Sequence, residues 1–164
     1  DGLGGIATET VTITINGTND APTVTSGAAD AAGAVTEAGI DTDGSAVAGT
    51  AQATGTLTSD DVDELATATW TRTGTESSTY GTFNLNADGT WTYDLDGADV
   101  DSLQQGEEVT ETYAVQVSDG LGGIATETVT ITINGTNDAP TVTSGAADAA
   151  GAVTEAGKIG RAHV

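Results

Sequence analysis

Residues 127–134 read E-T-V-T-I-T-I-N, which puts Val129, Ile131 and Ile133 on one side of an extended backbone and Thr128, Thr130 and Thr132 on the other. Successive strand side chains point to opposite faces, so this alternation predicts a half-buried antiparallel strand. Val11, Ile13 and Ile15 repeat the pattern near the start of the chain. Residues 112–117 alternate likewise, with Tyr113, Val115 and Val117 inward, and the glycine-rich run 118–123 joins them to the next strand as a hairpin. A second hairpin combines residues 81–86, with Phe83 and Leu85 on one face, and residues 90–95, with Trp91, Tyr93 and Leu95 on one face. Its link, Asn86-Ala87-Asp88-Gly89, supplies residues that tolerate positive φ in a tight turn. Residues 66–73, with Trp70 inward, and residues 50–58 and 23–26 complete a set of about seven or eight strands. Only residues 99–105, from an acidic start to a stop at Gly106, have the character of a helical turn.

All aromatic residues lie between Trp70 and Tyr113: Trp70, Tyr80, Phe83, Trp91, Tyr93 and Tyr113. At period-two positions within strands they are expected to form a core. Short strands with regularly spaced turns and no helical periodicity predict an all-β fold, an antiparallel β-sandwich of immunoglobulin or cadherin type.

The chain also repeats itself. Residues 1–39 recur letter for letter as residues 119–157, a period of 119 − 1 = 118 residues. A repeat of one domain length implies a window on a tandem array. Residues 1–19 correspond to the C-terminal hairpin of a preceding repeat, residues 20–137 to a complete sandwich, and residues 138–157 to the N-terminal part of a following repeat. The segments 16–22 and 134–140 are the linkers, stiffened by Pro22 and Pro140. Identity stops at Gly157, and residues 158–164, KIGRAHV, are read as a non-native tail.

Charge narrows the partners. The chain has 25 acidic residues against three basic ones, and before residue 158 the single base is Arg72. Such a surface repels nucleic acid and anionic lipid and attracts divalent cations. No apolar run approaches the roughly 20 residues that span a bilayer, so no membrane insertion is expected. The absence of cysteine excludes disulfides and thiolate metal sites.

The run Gly81-Thr82-Phe83, then Asn86-Ala87-Asp88-Gly89-Thr90-Trp91-Thr92-Tyr93, then Val117-Ser118-Asp119-Gly120, closing on Gly135-Thr136-Asn137-Asp138-Ala139-Pro140, resembles a VCBS repeat. These repeats belong to large secreted bacterial surface proteins, including RTX-type adhesins. The resemblance covers the whole 118-residue period. It implies an extracellular, cell-surface location, neighbouring repeats as partners, and host or biofilm ligands engaged through other domains. The proline-terminated, Asx-rich linker is also similar to that of cadherins, which hold calcium between domains. Here Asn16 stands where cadherins usually have an acid.

Calcium takes about six to eight oxygen ligands, more than one short loop supplies, and a junction between two sandwiches can provide them. The resemblance to cadherins points to Asp61 and Asp63 as an Asp-x-Asp pair, to Asp119 before Gly120, and to Asn19 and Asp20 of the linker, as ligands of one junction site. It points to Glu37, with Asn137 and Asp138, for a second site whose remaining ligands belong to the next unit. Asp41-Thr42-Asp43-Gly44 offers another loop site for a cation, with a solvated loop as the preferred reading. Catalysis is not expected: the one histidine, His163, is in the tail, and Asp94, Asp96, Asp99 and Asp101 read as an acid-rich turn rather than paired glycosidase carboxylates. The expected function is a stalk or spacer repeat stiffened by calcium. The competing expectation is a glycan- or protein-binding module, which requires Trp70, Tyr80 or Trp91 to be accessible.

Overall fold

A computed structural model describes residues 2–75, 78–140 and 142–154. The tail at 158–164 lies outside the described residues. The chain forms β1 (Thr23–Val24), β2 (Ala32–Thr36), β3 (Gly39–Ile40), β4 (Ala46–Val47), β5 (Gln52–Thr56) and β6 (Ser59–Asp60). It continues through β7 (Thr69–Arg72), β8 (Gly81–Leu85), β9 (Thr90–Leu95), a single helical turn α1 (Gly97–Val100), β10 (Glu108–Ser118) and β11 (Ile124–Asn134). A four-stranded sheet ordered β2-β11-β10-β7 faces a three-stranded sheet ordered β5-β9-β8, and the ribbons β1-β6 and β3-β4 lie outside them. No helix among the described residues is long and apolar enough to cross a membrane.

Alternation becomes burial as expected. Tyr113, Val115 and Val117 of β10 and Val129, Ile131 and Ile133 of β11 are buried between the sheets. The two strands pair in unbroken antiparallel register from Glu108↔Asn134 to Ser118↔Ile124. One pairing departs from the all-antiparallel expectation: β2 runs parallel to β11, with Ala32 opposite Thr130 and Thr36 opposite Asn134. Both strands run from the same end of the sandwich, because Ala21 leads into β1 and β2 from beside Gly123, where β11 begins. The helical turn starts two residues before Asp99, and residues 101–105 continue it only as hydrogen-bonded turns, Ser102 N–H to Asp99 O and Leu103 N–H to Val100 O.

Aromatic side chains fill the interior. Phe83 stacks on Tyr113 with ring centroids 4.3 Å apart, and Trp91 and Tyr93 tilt against this pair. Trp70 and Trp91 are only 3 % and 1 % exposed, so neither offers an accessible platform to a sugar. Tyr80 is half-buried and packs on the same core. The Trp91 ring lies in a slot between the sheets where a Cβ at Gly33 on β2 or Gly55 on β5 would collide with it, and its Nε1–H donates to Asp30 O at 2.9 Å. Arg72, on edge strand β7, holds its guanidinium 4.8 Å from the Tyr113 ring centroid.

A half-buried acid secures the segment leading into β8. Glu111 accepts hydrogen bonds from Tyr93, Tyr113 and Ser78 hydroxyls and from the Thr79 and Tyr80 N–H groups. Burial pushes its carboxyl up, but the bonds from Tyr113, Thr79, Tyr80 and Tyr93 prevail and hold it below the usual range. Burial, then Glu111, pushes the Tyr113 hydroxyl up to about 12. A carboxyl depressed by folding contributes stability that is present above its unfolded pKa and is lost as pH falls through the folded value. Glu111→Gln is therefore expected to remove part of the acid-side loss of stability, measured as urea midpoints from pH 7 down to pH 3 (about the span of carboxylate titration). An unchanged pH profile would count against the network.

The first copy of the repeat behaves differently from the second. Residues 5–22 form no strand, and Val11, Ile13 and Ile15 are 80 %, 78 % and 90 % exposed, whereas Val129, Ile131 and Ile133 are fully buried. The expectation that residues 11–15 form the same strand is thus overturned. Alternation alone does not make a strand; β11 forms because β10 and β2 flank it, and those two positions are already filled.

Candidate functional sites at the two poles

At the pole where β11 begins, the run 118–123 must reverse the chain, and Gly120 and Gly122 do so at φ of 80° and 114°. Asp119 ties the loop together. Its Oδ1 accepts from the Leu121, Gly122 and Gly123 N–H groups at 2.7, 2.9 and 2.9 Å, and its Oδ2 from the Gly123 N–H at 3.0 Å and Asn19 Nδ2 at 2.8 Å. Only glycine fits at 123, since a Cβ there would meet the Asp119 carboxylate and Ala21. Asp119 is 1 % exposed. The Asn19 amide, aided by the loop N–H groups against the cost of burial, holds its carboxyl below the usual range.

Beside this loop, Asp61 Oδ1 accepts the Asp63 N–H at 2.9 Å, a local turn that fixes the pair. Asp63 Oδ2 in turn accepts the Asp20 N–H at 2.8 Å. The linker is thus gripped twice, at Asn19 by Asp119 and at Asp20 by Asp63. The structure therefore brings the five predicted residues of this pole together as two linked groups, Asn19 with Asp119 and Asp20 with Asp63 and Asp61. The Asp20 side chain itself is exposed. Among the described residues no three acids or histidines are grouped closely enough to hold a metal ion as they stand. One atom is left over: Asp61 Oδ2 is buried without a hydrogen-bond partner.

The opposite pole is built around Glu37, which follows β2 and is 1 % exposed. Its Oε2 accepts the Thr136 N–H at 2.9 Å, and its Oε1 is buried without a hydrogen-bond partner. Burial pushes its carboxyl up; the Thr136 N–H opposes this, and Asp138 and Asp101 reinforce it. Asn137 pins the outgoing linker to β3, its Nδ2 donating to Ile40 O at 2.8 Å and its carbonyl accepting the Ile40 N–H at 2.8 Å. Glu37 and Asp138 therefore share one electrostatic neighbourhood, with Asn137 between Thr136 and Asp138 in the chain.

Sequence reasoning missed two participants. Asp101 acts on Glu37 from the turn after α1, a proximity made by tertiary packing and not by any motif. Thr67 braces Asp119 by donating N–H and Oγ1 to its main-chain oxygen at 3.0 and 2.9 Å. A threonine in a Thr-rich sequence carries no signal that could have singled it out.

No curated protein sequence matches the chain. A family model described as "bacterial cadherin-like domain" matches residues 19–135, well over half of the chain. That span starts at the linker asparagine gripped by Asp119 and ends just past β11, so it covers both sheets and the first pole, and reaches Glu37 but not Thr136, Asn137 or Asp138 of the second. A two-sheet β-sandwich matched over its whole extent establishes the relationship, and the chain belongs to the bacterial cadherin-like domain family.

Proposed function

We propose that this chain is a spacer repeat of a bacterial surface adhesin, exported to the cell exterior, in which calcium stiffens the junctions between neighbouring repeats. The single observation that carries the reading is the pair of buried carboxylate oxygens without partners, Asp61 Oδ2 at one pole and Glu37 Oε1 at the other. A buried charged oxygen lacking a donor is costly, and a cation is the partner that removes the cost. Each orphan sits where a linker meets the sandwich, beside Asp63 and Asp20 at one pole and near Asp138 at the other. The donors are carboxylates and amide oxygens, the hard ligands that calcium prefers. Asp61, Asp63 and Asp119, with Asn19 and Asp20, would hold the ion at the first pole. Glu37, Asn137 and Asp138 would contribute to the second, completed by the following repeat.

The stiffening is electrostatic. Acids facing each other across a flexible linker repel, and a shared divalent ion turns that repulsion into bonds that fix the angle between repeats. Extracellular calcium modules bind at about 10⁻⁴–10⁻³ M, so calcium outside the cell keeps such junctions filled. No catalytic role is part of this reading, and the distal ligand would belong to other domains of the parent protein.

Thermal melts in calcium and in excess chelator test the proposal. A ligand that binds only the native state at a hundredfold excess over its dissociation constant adds about 2.7 kcal/mol, which reads as a clear upward shift of Tm. Asp61→Asn with Asp63→Asn is expected to abolish the first-pole share of that shift. Glu37→Gln should raise Tm in chelator, because a desolvated charge is removed, and should shrink the response to calcium. Superimposable melts of the parent chain in calcium and chelator would refute the calcium reading.

A further inference from the structure

The linker sequence Gly-Thr-Asn-Asp-Ala-Pro occurs twice, as residues 17–22 and 135–140, and the fold docks each copy on a different pole. At the first pole Asn19 Nδ2 donates to Asp119 Oδ2 at 2.8 Å, and the Asp20 N–H donates to Asp63 Oδ2 at 2.8 Å. At the second pole the Thr136 N–H donates to Glu37 Oε2 at 2.9 Å and Asn137 Nδ2 to Ile40 O at 2.8 Å. There the main chain also pairs with β3, the Ile40 N–H donating to Asn137 O at 2.8 Å and the Ala139 N–H to Ile40 O at 3.1 Å. Each pole provides a glycine seat for the linker. A Cβ at Gly123 would collide with Ala21, and one at Gly39 with Thr136 and Asn137.

Laid on one linker, the two sets of bonds do not compete. The backbone donor is the aspartate at one pole and the threonine and alanine at the other, so no N–H is needed twice. Direction agrees as well. Asn137 O and the Ala139 N–H both face Ile40, and backbone groups of an extended chain alternate sides, so the Asp138 N–H points away from β3. The equivalent Asp20 N–H is the one that meets Asp63 of the sandwich that follows its linker. The one shared donor is the asparagine Nδ2, and an amide nitrogen carries two hydrogens. We propose that this linker is a hydrogen-bonded splice between consecutive repeats, its asparagine donating one amide hydrogen to Ile40 of the preceding repeat and the other to Asp119 of the following one.

The splice rests on the reading of the chain as one of a series of repeats, and it adds a register that needs no cation. The carbonyl of one sandwich and the carboxylate of the next sit at hydrogen-bond distance from a single nitrogen, which leaves little freedom in the angle between them. Asparagine is the residue this geometry requires. An aspartate would turn oxygens toward both acceptors, and an alanine would offer neither donor. Calcium then screens the carboxylates of a junction whose register is already set, and the amide oxygen of the asparagine stays available to the ion.

The full chain lengthened so that residues 20–137 occur twice in succession reproduces the seam, because residues 20–39 and 138–157 are identical. The chain has no cysteine and Asn84 on β8 is exposed, so Asn84→Cys in both repeats accepts one nitroxide label in each. The distance between the labels is measured by electron–electron double resonance in excess chelator. The expected result is one narrow distance. Asn137→Ala and Asn137→Asp at the seam should each lose it, although the aspartate adds a cation ligand, while the sandwiches still melt near the parent temperature. Asp119→Asn in the second repeat, which keeps an acceptor for its loop, should lose it too. A parent distribution that is broad in chelator and narrows only with calcium would overturn the splice and leave the calcium reading standing. A narrow distance that survives all three substitutions would overturn it as well. Superimposable melts in calcium and chelator would count against the calcium reading alone, since the splice gives its narrow distance without the ion.

Discussion

Trp91→Ala is expected to destabilise the sandwich by about 3–5 kcal/mol, the range for emptying a large aromatic site in a core. The indole is 1 % exposed and spans the space between the sheets, in the slot kept open by Gly33 and Gly55. Its removal leaves those glycines facing a void that rigid backbone cannot close, and it also leaves Asp30 O without the Nε1–H donor. Domains of this size are stable by only about 5–15 kcal/mol, so a urea melt of the variant should show a greatly reduced midpoint. A change below about 1 kcal/mol, the centre of the distribution for ordinary substitutions, would mean that Trp91 is not the keystone of this core.

Asp119→Ala is expected to have the second large effect, and on two observables together. The carboxylate is the common acceptor for Leu121, Gly122, Gly123 and Asn19. Without it, three loop N–H groups lose their partner, and the linker loses one of its two attachments. The melting temperature should fall by several degrees, and the amides of Leu121, Gly122 and Gly123 should lose hydrogen-exchange protection before the rest of β11 does. Asp119→Asn should recover most of the loop protection, because an amide oxygen in the Oδ1 place still accepts the three loop N–H groups, and should mainly weaken the hold on Asn19, whose Nδ2 would then face an NH2 group. Preserved protection of these three amides in the alanine variant would sink this account. The experiment also separates two roles for the residue, since loop collapse appears in chelator, before any cation is added.

Much of the sandwich was legible because buried strands advertise themselves. Threonine alternating with Val or Ile gave β10 and β11 their faces, and the aromatic positions gave the core its contents. Sequence pattern failed where the decisive fact lay in pairing. Nothing in Ala32–Thr36 distinguishes a strand that will run parallel to its neighbour from one that will not. Nor can letters tell the two fates of ETVTITI apart, since the letters are the same and only the neighbours differ. Around the poles, the residue types of the candidate ligands were readable, but their placement was not. Asp119 turned out to satisfy its own loop, Asp20 to be held by its main chain, and Glu37 to be buried beside Asp138 and Asp101. Glu111, with its five donors, went unnoticed because a carboxylate in a Thr-rich strand looks like any solvated one.

The scarcity of positive charge has a consequence for survival among proteases. An enzyme that cuts after lysine or arginine finds one target between residues 2 and 157, the bond following Arg72. That residue is the last of β7, and the next N–H, of Thr73, is bonded to Ala114 O at 3.0 Å. A bond held in a ladder cannot thread a protease cleft, so scission waits for the strand to come free and follows the open population. An enzyme of that specificity therefore has almost nowhere to cut the folded chain between residues 2 and 157.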